Sequence, residues 1–228
     1  MTAPENQNNA ADANAEAKSP LLSPDLIETQ IIKALDPTVT QPDAPKSAQE
    51  AKQGHPPRRG ILIFCPHRLV DTVWQITPKE LKQQNIEGII LDLDNTIVKW
   101  RQEKMTGEVE NWLKSLQEEN LRLCILSNSP IGNRSERIAT RLNCAFVRHA
   151  RKPARSGFRR AMSAMSTTIE TTAIVGDQMF TDILGGNRVG IYTIMVKPIN
   201  KSEFPYTRFV SRPPEKLLLK YFKKNGGI

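Results

Sequence analysis

Asp92 and Asp94 stand two residues apart at the end of the apolar run Gly88-Ile89-Ile90-Leu91. On an extended chain, residues two apart face the same side. Two carboxylates that close repel, and one pKa is expected to rise unless a cation intervenes. Magnesium prefers hard oxygen ligands and would answer that need. Asp177 follows a later apolar run and offers a further carboxylate; Ser127 and Asn128 follow another run, and Arg151 and Lys152 follow a third. Each also has a plainer reading. An aspartate after a strand can cap a helix, and so can Ser127. Lys152 belongs to a basic run with Arg151, Arg155, Arg159 and Arg160. Thr96 suits ordinary turn chemistry or a contact that fixes Asp94. Acids, a hydroxyl and a lysine at four successive run ends are harder to explain one at a time.

The elements that must position these residues alternate between strand and helix. Apolar runs suited to buried parallel strands cover 88–92, 121–126, 144–147, 172–175 and 191–196. Helical spacing covers 108–120, 133–142, 157–165 and 181–187. This alternation predicts an α/β fold: a Rossmann-like three-layer sandwich on a mainly parallel sheet of about five strands. Ligands of such sheets bind beyond the carboxyl ends of the strands, where the polar residues above fall. Residues 66–88 read as a helical lead-in. Thr77-Pro78-Lys79-Glu80 suits an N-cap, a first-turn proline and a capping box.

The segments DLDNT (92–96), ILSNS (125–129), Lys152-Pro153 and GDQMFTD (176–182) resemble, in order, the four motifs of haloacid dehalogenase-like phosphatases. The DNT ending, GDQxxTD, Gly185-Gly186-Asn187-Arg188 and Glu87-Gly88-Ile89 are most similar to the subclass IIIA branch. That branch is YqeG-like and includes phosphatidylglycerophosphate phosphatases. The resemblance covers roughly residues 60–224. It implies a set of roles. Asp92 would be the nucleophile that forms an aspartyl-phosphate, and Asp94 the acid and then the base. Magnesium would be held by Asp92, the Asp94 carbonyl and Asp177. Ser127, the Asn128 backbone and Lys152 would bind the phosphoryl group. Thr96 and Asp182 would stand behind these, Asp182 orienting Lys152 or a metal-bound water. Phosphoryl transfer needs in-line positioning and neutralised oxygens, which a metal and a lysine supply.

Neither gap between motifs has room for a cap domain: 97–126 holds a flap and one helix, and 153–173 one helix. An uncapped site suits a large substrate such as a lipid head group. The leading expectation is dephosphorylation of phosphatidylglycerophosphate to phosphatidylglycerol. The alternatives are a soluble metabolite, a phosphoprotein or a nucleic-acid end, and, from another class, a catalytically silent binding module.

The chain has 228 residues and a formal charge of +8, unevenly spread. Residues 1–51 hold three lysines and eight acids, a net of −5, which leaves +13 on the remainder. So basic a domain invites an anionic partner. No stacking platform of aromatics among the basic residues marks a nucleic-acid binder. Three widely spaced cysteines (Cys65, Cys124, Cys144) argue against a disulfide framework or a zinc site. No run reaches the about 18 apolar residues of a membrane span, and no signal or transit pattern opens the chain. These features predict a reduced, cytoplasmic protein with the option of peripheral membrane contact. Residues 1–57 read as a disordered tail and linker of unknown partner with a short helix at 23–36, and 58–228 as the phosphatase domain. The segment 213–224 is amphipathic and basic. It either packs on the sheet or lies at an anionic interface, with Phe204, Tyr206, Arg208 and Phe209 extending either surface.

Overall fold

The computed structural model describes residues 58–128, 133–200 and 212–228. The expected helix at 23–36, the tail around it and the aromatic residues at 204–209 lie outside these. Six strands form one sheet in the order β1-β6-β5-β2-β3-β4, every pair parallel. They are β1 (Arg68–Val70), β2 (Gly88–Leu91), β3 (Arg122–Leu126), β4 (Ala145–Val147), β5 (Thr172–Gly176) and β6 (Tyr192–Val196). The strand beyond the expected five is β1, which falls in the stretch read as a helical lead-in. Three residues are too few to show a period. Its identity comes from pairing with β6, Arg68 opposite Ile194 through Val70 opposite Val196.

The central strands β2 and β5 are buried along their whole length. This is why they read as unbroken apolar runs rather than as alternating ones. Helices cover both faces: α1 (Pro78–Gln83), α2 (Gly107–Glu118), α3 (Arg134–Arg141), α4 (Arg155–Met165), α5 (Leu184–Val189) and α6 (Arg212–Lys224). On α2 the residues Val109, Trp112, Leu113 and Leu116 form one buried stripe, and Trp112 donates its indole N–H to the Ile76 carbonyl at 2.8 Å. On the other face Phe158, Ala161, Met162 and Met165 of α4 pack over Ile90, Cys124 and Ile174. At α1 the Thr77 hydroxyl accepts the Glu80 N–H at 3.3 Å, the expected cap. The Glu80 carboxylate, however, pairs with Arg68 at 2.5 Å instead of closing a capping box.

Glycine and asparagine in the Gly185-Gly186-Asn187 sequence have structural uses. A Cβ at Gly185 would lie 2.4 Å from the Phe158 ring, and one at Gly186 would lie 2.6 Å from Ile174 and Thr193. Asn187 donates to the carbonyls of Ile63 (2.7 Å) and Cys65 (2.9 Å) and accepts from the Thr193 hydroxyl (3.1 Å). It thereby ties the 3-10 turn at Gly60–Phe64 to the sheet. All three cysteines are free thiols. Burial pushes Cys144 up to about 12 and Cys124 well above its ordinary value.

Between β2 and β3 the described chain holds an isolated bridge, Asp94 to Val98, and α2; between Pro153 and β5 it holds α4. No cap domain is inserted among the described residues. α6 buries Glu215 and Phe222 against the body and leaves Leu217 71% and Tyr221 47% exposed. It therefore packs by one face. No helix of the described residues is long and apolar enough to cross a membrane.

Candidate active site

The carboxyl ends of β2, β3, β4 and β5 deliver their polar residues to one rim. β2 leads into Asp92, which is buried, as is Thr96 one turn later. Asn95 has φ 64°, a left-handed conformation that asparagine tolerates, and its N–H donates to the Val98 carbonyl at 2.7 Å. That tight turn folds Thr96 back, so its hydroxyl donates to Asp92 Oδ2 at 3.1 Å and reaches Asp177 Oδ1 at 3.5 Å. Thr96 therefore steadies Asp92; of the two readings open from the sequence, turn chemistry or a contact that fixes Asp94, its hydroxyl takes neither Asp94 oxygen.

The other Asp92 oxygen, Oδ1, pairs with Lys152 Nζ, and the same ammonium pairs with Asp182 Oδ1 at 2.7 Å. The Lys152 side chain is 3% exposed, so it is not a solvated member of the basic run. Burial works against its charge, but the Asp182 and Asp92 carboxylates outweigh that and carry its pKa above the ordinary lysine value. Asn128 fixes the backbone beside it: its side-chain N–H donates to the Lys152 carbonyl at 3.0 Å, and its oxygen accepts the Lys152 N–H at 2.8 Å. Ser127 is buried at the end of β3, and its carbonyl accepts the Ala150 N–H at 3.2 Å.

Gly176 ends β5 next to Asp177. A Cβ there would sit 2.4 Å from the Asp182 carboxyl group, so only glycine leaves that acid its place. Asp182 also accepts the Gln178 N–H at 3.1 Å. Burial raises its pKa to about 6 against the opposing pull of Lys152, with the Asp92 charge adding to the rise. Asp177 is fully buried and likewise raised by burial, with Arg212 opposing.

Carboxylate oxygens of Asp92, Asp177 and Asp182 lie within 4.8 Å of one another. Three buried hard-oxygen donors fit magnesium. The resemblance implies Asp92 and Asp177 by their carboxylates and Asp94 by its backbone carbonyl; the carboxylate cluster contains the first two and adds Asp182. The Asp94 carboxylate turns away from the cluster: Oδ1 accepts the Arg101 N–H at 3.1 Å and pairs with Arg134 Nη2 at 2.6 Å. Its pKa is raised, as expected, but mainly by burial; Arg134 opposes the rise, and repulsion from Asp92 is a lesser contribution. Any part for Asp94 in holding a metal rests on its backbone carbonyl.

Three residues of this rim are not apparent from the sequence. Arg212 at the start of α6 pairs with Asp177 Oδ2, donates to the Asp177 carbonyl at 2.7 Å and pairs with Glu215 at 2.9 Å. Glu215 also accepts the Met179 N–H at 2.8 Å. Their one sequence signal is the Arg212-Pro-Pro-Glu215 spacing at a helix start. Arg134, against Asp94, has none.

Comparison of the sequence with known proteins places it in a family. The family model described as mitochondrial PGP phosphatase fits residues 60–200. The chain belongs to the haloacid dehalogenase-like YqeG/PGP phosphatase family. It is a phosphatase. It is 38% identical over 166 residues to the "Probable phosphatase YqeG" of Bacillus subtilis, covering 73% of this chain and 95% of that one. It is 26% identical over 162 residues to the chloroplastic phosphatidylglycerophosphate phosphatase 1 of Chlamydomonas reinhardtii, covering 66% of this chain and 59% of that one. A solved structure, the cobalt-bound deoxy-D-mannose-octulosonate 8-phosphate phosphatase of Haemophilus influenzae, aligns at 16% identity with a TM-score of 0.40, covering 61% of this chain and 90% of that one.

Proposed function

We propose that this phosphatase hydrolyses phosphomonoesters through an aspartyl-phosphate on Asp92, with magnesium, and that its substrate is phosphatidylglycerophosphate. The observation that carries the mechanism is the grip on Asp92. Lys152 holds one carboxylate oxygen and Thr96 the other, which aims the nucleophile.

The step balances simply. An Asp92 oxygen forms a bond to phosphorus as the bond to the leaving oxygen breaks, and the Asp94 carboxylic acid gives that oxygen its proton. A water then attacks phosphorus and yields its proton to the Asp94 carboxylate. Inorganic phosphate leaves, and Asp92 is free again. Ser127, the Asn128 backbone and Lys152 bind the phosphoryl oxygens, and Asp182 holds Lys152 in place. Asp92 and Asp177, with Asp182 beside them, would hold magnesium together with the Asp94 carbonyl, and the bound ion would supply charge neutralisation for the transferring group.

The substrate reading rests on the named relatives, the uncapped rim and the basic charge of the domain. Peripheral contact with an anionic membrane through α6 fits it, since α6 exposes Leu217 and Tyr221 among lysines. The test offers the purified chain, with magnesium, phosphatidylglycerophosphate in vesicles beside a panel of soluble phosphate esters. Phosphate release from the lipid is expected, along with a covalent phosphoenzyme. Asp92→Asn is expected to lower turnover by more than about a thousandfold. Turnover of the panel without the lipid would sink the substrate, and an active Asp92→Asn the nucleophile.

A further inference from the structure

Arg134 is the first residue of α3 and is 4% exposed. Its Nη2 donates to Asp94 Oδ1 at 2.6 Å. Its Nε and Nη1 are buried and have no hydrogen-bond partner among the described residues. A guanidinium keeps its charge and presents five N–H donors in a fixed plane. Empty buried donors are costly, the more so when charged, so an unfilled one in a native site calls for an explanation. Asp94 takes one nitrogen only. Glu103, an acid within electrostatic reach of Arg134, is occupied by Arg137.

We propose that Arg134 binds an acidic oxygen on the leaving-group side of the substrate: a phosphodiester carried by the alcohol that is released. The inference rests on the phosphatase reading above, in which Asp94 serves the leaving oxygen. A cation bonded to Asp94 lies on that side, whereas Lys152 stands with the nucleophile and the phosphoryl group. The planar fork suits the task, because one nitrogen holds Asp94 while the others donate to further oxygens. The substrate class is then a phosphomonoester whose alcohol also bears a phosphodiester. A lipid head group has this chemistry, and so does its water-soluble deacylated form.

The experiment measures kcat/KM for three esters: phosphatidylglycerophosphate in phosphatidylcholine vesicles, deacylated glycerophosphoglycerophosphate, and glycerol 3-phosphate, which lacks the diester. Wild type is compared with Arg134→Gln and with Arg134→Lys, which keeps the charge should the first fail to fold. Both variants are expected to lose about tenfold or more on the two diester-bearing esters beyond whatever they lose on glycerol 3-phosphate, mostly through KM. Equal loss on all three would overturn the proposal, since Arg134 would then serve Asp94 alone. A selective loss on the vesicles but not on the soluble diester would also overturn it, because the lipid surface and not the diester would be sensed. Calorimetric binding of glycerophosphoglycerol, a diester without a monoester, is independent of turnover. It is expected to weaken in Arg134→Lys, and unchanged binding would overturn the assignment. If wild type turned over none of the esters, the phosphatase reading would fall by itself, and the calorimetry would still decide Arg134.

Discussion

The two aspartates of the first loop each meet a buried cation, and the two pairs are built differently. Asp92 meets Lys152 inside a closed arrangement in which both its oxygens have donors and the lysine is shared with Asp182. Asp94 meets Arg134 at the edge of the site; its own side chain is 22% exposed, and two of the arginine's nitrogens are left unfilled among the described residues. On the proposed reading the closed pair has what a nucleophile requires, a fixed direction. On the proposed reading the open pair has what a proton-transfer group beside a leaving group requires: a carboxylate that is partly exposed, next to a cation with unfilled donors. The same spacing in sequence therefore yields two environments, decided by which strand or helix end lies opposite.

The strongest way to break this comparison is Lys152→Met. It would leave Asp92 and Asp182 facing each other without their shared cation. Removing one partner of a buried ion pair costs about 3–5 kcal/mol, so urea unfolding of the metal-free variant should show a loss of that size. A loss no larger than that of Arg134→Met would erase the contrast between the two pairs.

A smaller effect follows from acid titration of the closed cluster. Asp182 has a pKa of about 6, so it gains a proton as pH falls through that value. A metal is bound by the carboxylate and not by the acid. Magnesium affinity should therefore be complete above pH 7 and fall as pH drops, by about tenfold between pH 6 and pH 5 for each proton that must leave. Calorimetric titration at fixed ionic strength would read this, and a flat affinity over that range would remove Asp182 from the metal's reach.

The smallest expected effect is that of Thr96→Val, which removes one hydrogen bond to Asp92 without changing the side chain's shape. It should cost about 1 kcal/mol, or several-fold in kcat with little change in KM. An unaltered kcat would show that Lys152 alone aims the carboxylate.

Much of the site is legible in the sequence, for a geometric reason. Asp92, Ser127, Lys152 and Asp177 each stand just past a strand, and parallel strands end on the same side of a sheet. Apolar runs such as 88–91 and 172–176 announce central strands because both of their faces are covered. The three-residue β1 lacks any such signal, since an edge strand that short is defined by its partner. Arg212 and Glu215 are hidden because they come from the last helix, 35 and 36 residues beyond the backbone groups of Asp177 and Met179 that they bind. The displacement of Asp94 from the acid cluster is hidden for a related reason. Alternation along an extended chain puts Asp92 and Asp94 on one side, but the turn at Asn95 ends the extension there.

By itself, then, the sequence determined the α/β alternation, the rim on which the polar residues gather and the family to which the chain belongs, since these follow from local periodicity and from spacing within motifs. Tertiary structure alone decided which carboxylates share a cation. It placed Lys152 between Asp92 and Asp182, Arg134 on Asp94 and Arg212 on Asp177. Charge pairing depends on distances of a few ångströms between elements far apart in the chain, and no local pattern encodes those distances.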